Sequence, residues 1–142
     1  MFLIGEVTPE AKLLVERTQK AMYKGISAIR PYGFLNEIGR AIEAYVHKFN
    51  YGIVQEFTGH GVGQKFHEPP AVFHHAMRDQ GPRLEPGMTF TVEPMINMSP
   101  HSEVTVDPED KWTVRTKDGA LSAQWEHTVV VTEKGYEILT LG

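Results

Sequence analysis

A chain of 142 residues, 41% hydrophobic and 23% charged, is sized for one domain spanning 1–142 with enough apolar side chains to bury a core. Fourteen basic against eighteen acidic residues leave a net charge of −4, which excludes the basic footprint of a nucleic-acid binder. The absence of cysteine excludes disulfides, thiolate metal sites and a cysteine nucleophile.

No apolar run approaches bilayer length, and the opening MFLIGEVTPE has neither a basic flank nor a long apolar segment, so the reading is a cytoplasmic protein with no membrane partner. Met1 to Ile4 has the size of a strand. Thr8-Pro9-Glu10 opens a helix, with Thr8 as cap, proline in the first turn and an acid at the positive end of the dipole. The stripe Ala11, Leu14, Val15, Thr18, Met22, Ile26 and Ile29 keeps helical spacing until Arg30-Pro31 and Gly33. A second helix carries Leu35, Ile38, Ala41, Ile42, Tyr45, Val46 and Phe49 and is closed by Asn50-Tyr51-Gly52. Both stripes predict core contact.

After Gly52 the period changes. Ile53 to Phe57 reads as a strand leading into a loop, and Ala71 to His75 as a short extended piece. Thr89 to Met98 alternates, with Phe90 and Val92 on one face and Thr89, Thr91, Glu93 and Met95 on the other. Pro94 cannot donate to a ladder, so Glu93 falls where pairing is interrupted. Ser99 to Asp110 is polar and reads as a loop. Trp112 to Thr116 and Leu121 to Thr132 read as a hairpin across Lys117-Asp118-Gly119, and Glu133-Lys134-Gly135 turns into a last strand, Tyr136 to Thr140. The plan is α+β, with two helices packed on one face of an antiparallel sheet.

Chemistry concentrates in three places. TGHGVGQKFHEPP sets His60 between glycines, which implies either positive φ or close backbone approach, and places His67 seven residues on. TFTVEPM and SAQWEHTVVV each put a carboxylate, Glu93 and Glu126, inside a strand-like run where burial is costly without a cation or hydrogen bonds. Thirty-three residues separate His60 from Glu93, and Glu93 from Glu126, so three adjacent strands can offer one ligand each. One imidazole with two carboxylates suits Zn²⁺, Mn²⁺, Fe²⁺ or Co²⁺. His67 is either a donor to a carbonyl oxygen that gathers negative charge or a loop histidine satisfied by backbone. His74 and His75, adjacent in an extended piece, point to opposite faces and are not read as ligands. Phe66 and Trp112 either wall an apolar pocket or belong to the core, and Trp125 reads as core.

GHGVGQKFHEPP, GMTFTVEPMI and SAQWEHTVVVTEKGYEIL, in this order and spacing, resemble the bacterial type I methionine aminopeptidases. The resemblance runs through essentially the whole chain. It implies the pita-bread fold, in which two similar halves face a binuclear metal centre, and removal of the initiator methionine from nascent proteins by a metal-activated hydroxide. Carried over, His60 and Glu93 bind one metal and Glu126 bridges it to a second. Glu93 is then a candidate to take a proton, His67 contacts the scissile peptide, and Phe66 and Trp112 line the methionine pocket. The implied partners are a peptide or nascent-protein N-terminus and, as a candidate, the ribosome.

The same resemblance implies that the chain corresponds to the C-terminal half. Two aspartate ligands and a further substrate-contacting histidine belong to a first half that has no counterpart here. Asp79, Asp107, Asp110 and Asp118 all fall in turns or polar loops. The expectation is therefore at most one weakly held metal, low activity, and self-association through an exposed sheet edge. The competing reading is an inactive pita-bread fragment that binds peptides or proteins.

Overall fold

The computed structural model describes residues 1–141, and Gly142 lies outside the described residues. Helix α1 spans Pro9–Ile26, and Thr8 caps it as expected: its Oγ1 accepts the Ala11 N–H at 3.3 Å. The helix stops one turn before Ile29, because Ala28 and Ile29 bond back only three residues, to Gly25 O and Ile26 O, and Pro31 follows. Helix α2, Glu37–Val46, runs into a 3-10 turn at His47–Phe49 and ends where Asn50 adopts φ 56°. The two helices cross closely at Gly25, where a Cβ would sit 2.7 Å from Ile42 Cδ1.

All strand pairing is antiparallel. Strands β4 (Thr89–Val92), β9 (His127–Thr132) and β10 (Gly135–Ile138) join β2 (Gly59–Gly61) and β3 (Glu68–Val72) in a five-stranded sheet ordered β10-β9-β4-β2-β3. Strands β1 (Gly52–Ile53), β5 (Met95–Asn97) and β8 (Ser122–Gln124) form a second sheet, and β6 (Val104–Val106) with β7 (Val114–Thr116) a separate two-stranded arm. Leu14, Met22, Ile26, Ile38 and Ile42 from the helices meet Phe90, Val92, Ile96 and Val129 from the sheets in one buried core. Each such side chain, fully buried, contributes about 1.5–3 kcal/mol.

Two runs read as single strands are each split. Thr89 to Met98 breaks at Glu93-Pro94, and Leu121 to Thr132 breaks at Trp125-Glu126, so each run passes from one sheet to the other. Both ladders keep one register across the gap, with Val92 opposite His127 and Met95 opposite Gln124. Glu93 and Glu126 consequently face each other at the corner between the sheets.

Five expectations are corrected. Met1 to Ile4 forms no strand: among the described residues it has no ladder partner, and Phe2 and Ile4 stand exposed. The strand read at Ile53 to Phe57 shrinks to Gly52–Ile53, and the extended piece read at Ala71 to His75 starts earlier, at Glu68, and ends at Val72. Strand β3 lies at the sheet edge, where its prolines need not donate to a ladder. The loop read at Ser99 to Asp110 contains β6, which pairs with β7. The Asp118-Gly119 turn forms, with Gly119 N–H donating to Thr116 O at 3.2 Å, but β8 pairs with β5, which buries Ala123; β7 stays on the arm.

Candidate metal centre

Strand β2 brings His60 to the sheet corner, and its glycines answer the question of why they are there. Neither Gly59 nor Gly61 has positive φ. A Cβ on Gly59 would sit 2.4 Å from Thr91 O, and one on Gly61 2.2 Å from Pro69 O, so both are needed for close backbone approach. That approach places the His60 imidazole against Glu93. The His60 Nδ1–H donates to Gly61 O at 3.0 Å, which leaves the Nε2 lone pair pointing away from the backbone, 3.5 Å from Glu93 Oε1.

One donor atom from each of His60, Glu93 and Glu126 lies within 4.8 Å of the others. Donor atoms about 2.1 Å from one tetrahedral cation lie roughly 3.4 Å apart, close to the His60–Glu93 separation. The residues therefore fit a divalent cation by chemistry and by spacing. None of the aspartates joins the cluster among the described residues.

Glu93 is held on every side. Its Oε1 accepts the Thr91 hydroxyl at 2.6 Å, and Gln124 Nε2 lies 3.3 Å from both its Oε2 and its main-chain O. Its N–H donates to His74 Nε2 at 3.0 Å. Burial raises the Glu93 carboxyl pKa, the Thr91 hydrogen bond pulls it back, the neighbouring Glu126 raises it again, and His60 and His67 lower it. A half-buried carboxylate with raised proton affinity, beside two imidazoles, is poised to exchange a proton.

A cavity of about 820 Å³ opens here, lined by His60, His67, Glu93 and Glu126 together with Met95, Val106, Trp112 and Val114. His67 stands edge-on to His60, with ring centroids 4.2 Å apart. Trp112 is on the cavity wall and 85% exposed, which excludes the core reading. Phe66 is also exposed and packs edge-on against His67 at 4.6 Å, outside the wall of the main cavity. Trp125 is core-packed, its Nε1–H donating to Val15 O at 3.1 Å.

His74, Thr91 and Gln124 are the residues that sequence reasoning missed. His74 is buried and faces inward, as one of two adjacent histidines at a strand end must; a buried imidazole needs a polar partner, and that was the available signal. Burial, then the neighbouring His75, lowers its pKa to about 3, so it is the neutral acceptor the Glu93 N–H requires.

The fold sets two helices over antiparallel sheets and brings a His/Glu/Glu cluster suited to a divalent cation to a sheet corner. Residues 1–133 match the model of metallopeptidase family M24, and the chain belongs to that family. It is 48% identical to the methionine aminopeptidase of Salmonella typhimurium over 141 residues, covering 99% of this chain and 53% of that one. The Escherichia coli methionine aminopeptidase is 45% identical over the same length and share. The chain spans about half the length of the curated relatives it matches. The crystal structure of methionine aminopeptidase from Rickettsia prowazekii superposes with a TM-score of 0.93 at 45% identity, over 96% of this chain and 55% of that one. Prolidase from Pyrococcus furiosus, at 22% identity and a TM-score of 0.74, shares the fold. The α+β pita-bread expectation is thus met.

Proposed function

We propose that this chain is the C-terminal, metal-binding half of a methionine aminopeptidase and serves removal of the N-terminal methionine from nascent proteins. The observation that carries the reading is the convergence of His60, Glu93 and Glu126 at the floor of a cavity walled by apolar and sulfur-bearing side chains. A divalent cation held by these three, cobalt, manganese, iron or zinc, would polarise a peptide carbonyl and make water nucleophilic at neutral pH. Glu93 is the residue to take up a proton at its carboxylate, and His67 the donor to the carbonyl oxygen of the scissile bond. Trp112, Met95, Val106 and Val114 would receive the methionine side chain and keep water from it. Phe66 would support this pocket by packing on His67. A nascent-chain substrate puts the work in the cytoplasm, beside the ribosome.

Three ligands suffice for one cation, with water completing its coordination. The reading therefore carries at most one metal per chain and slow release of methionine. Metal analysis of the purified chain, together with methionine release from a Met-Gly peptide, tests it. One bound Co²⁺ or Mn²⁺ with slow cleavage is expected; two tightly held metals with fast cleavage would contradict the single-metal reading, and neither metal nor peptide binding would contradict the assignment. A second reading is a catalytically silent module that binds peptides or proteins and self-associates through an exposed sheet edge. Metal-free binding of methionyl peptides without any cleavage, in a chain that sediments as a dimer, would select it.

A further inference from the structure

Two of the three candidate ligands come from different strands, and one hydroxyl touches both. Thr91 is buried on β4. Its Oγ1 accepts the His60 main-chain N–H at 3.0 Å and lies 2.6 Å from Glu93 Oε1. A hydroxyl has one proton; with a carboxylate as the nearer partner, that proton goes to Glu93 Oε1, and a lone pair takes the His60 N–H. Glu93 Oε1 is the same oxygen that faces His60 Nε2 at 3.5 Å. The Thr91 proton therefore occupies one lone pair of that oxygen and leaves the other towards the imidazole.

From this we infer that Thr91 is the positioning residue that sets His60 and Glu93 as one preformed pair. The inference rests on the metal reading above and adds what orders the ligands before a cation arrives. Three local features support it. Strand alternation puts Thr91 and Glu93, two residues apart, on one face. The β-branched side chain restricts χ1, so the hydroxyl stays aimed. Gly59 lets β2 approach so closely that a Cβ there would come within 3.1 Å of Thr91 Oγ1 as well as 2.4 Å of Thr91 O. Any larger residue at 59 would push the His60 amide away from the hydroxyl.

The test compares Thr91→Ser, Thr91→Val and Thr91→Ala in the full chain, with Co²⁺ alone as the probe. Affinity is read by titrating metal-free protein and following the cobalt absorption bands, and folding is read separately by urea unfolding without metal. Thr91→Ser keeps the hydroxyl and is expected within about threefold of the parent affinity. Thr91→Val keeps the shape and loses the hydroxyl, and is expected to weaken Co²⁺ binding by about ten- to a hundredfold. Equal affinity of a folded Thr91→Val and the parent overturns the inference, as does an equal loss in Thr91→Ser and Thr91→Val. If Thr91→Val does not fold, Thr91→Ala against Thr91→Ser decides in the same way. No Co²⁺ binding by the parent chain overturns the metal reading itself, and this inference with it.

Discussion

The Nε2 of His74 accepts the main-chain N–H of Glu93 at 3.0 Å, so an imidazole just past the end of an edge strand fixes the backbone of a candidate metal ligand just past the end of a central one. The bond forms only while His74 is neutral. Strand β4 ends at Val92, and Pro94 has no N–H, so the Glu93 amide lies in a break in the ladder; His74 supplies the acceptor it would otherwise lack.

Stability of the metal-free chain will therefore fall in acid. His74 titrates near 3 when folded and near 6.5 when unfolded, so between these values the unfolded chain binds the extra proton. The contribution is complete above about pH 6.5 and is lost as pH drops towards 3, at up to about 1.4 kcal/mol per pH unit. The raised Glu93 carboxyl acts in the opposite sense and offsets part of this slope. Urea unfolding between pH 7 and pH 4.5 is expected to show the decline in the parent and a flatter profile in His74→Gln.

Removing any one candidate ligand should abolish stabilisation by metal. At a Co²⁺ concentration a hundred times its dissociation constant, the parent gains about 2.7 kcal/mol. His60→Ala, Glu93→Gln and Glu126→Gln should each show no Co²⁺-dependent rise in melting temperature in scanning calorimetry. Glu126, the most exposed of the three, should cost the apo protein least.

Gly39 and Gly25 will respond differently to alanine. On helix α2 a Cβ at Gly39 would sit 2.2 Å from His75 O and 2.7 Å from Phe73 O, backbone atoms that cannot swing aside. At Gly25 the obstacle is the end of the Ile42 side chain. Alanine gains up to about 1 kcal/mol in helix propensity. Overpacking costs about 1–3 kcal/mol and exceeds that gain at Gly39. Urea midpoints should drop clearly for Gly39→Ala and much less for Gly25→Ala.

Trp112 offers an optical readout of the cavity. It is solvent-exposed on the wall, while Trp125 is core-packed and bonded to Val15. Methionyl peptides should shift tryptophan emission in the parent and leave Trp112→Phe unchanged in emission. As a surface change, Trp112→Phe should alter stability by no more than about 0.5 kcal/mol.

The sequence was most readable where a local rule acts alone. Thr8 capped its helix, the apolar stripes found the core, and the equal spacing of His60, Glu93 and Glu126 reflected a real corner at which strands change sheets. Pairing was harder. An Asp-Gly turn specifies a reversal but not which strands it joins, and the burial of Ala123 against β5 outweighed the nearer partner. Met1 to Ile4 has strand composition, but a strand needs a neighbour, which no propensity encodes. The roles of Thr91 and His74 were harder to read for the same reason: each matters through a partner 19 to 31 residues away.

The two-stranded arm shares no ladder with either sheet among the described residues, and it carries Trp112 in its closing turn, where Asp110 Oδ1 takes the N–H groups of Trp112 and Thr113. On the reading proposed above, the candidate ligands sit where the main sheets meet, while Val106, Trp112 and Val114 of the cavity lining belong to the arm. Changes in the arm's length and side chains would therefore reshape that part of the cavity lining without altering the strands that bring His60, Glu93 and Glu126 together.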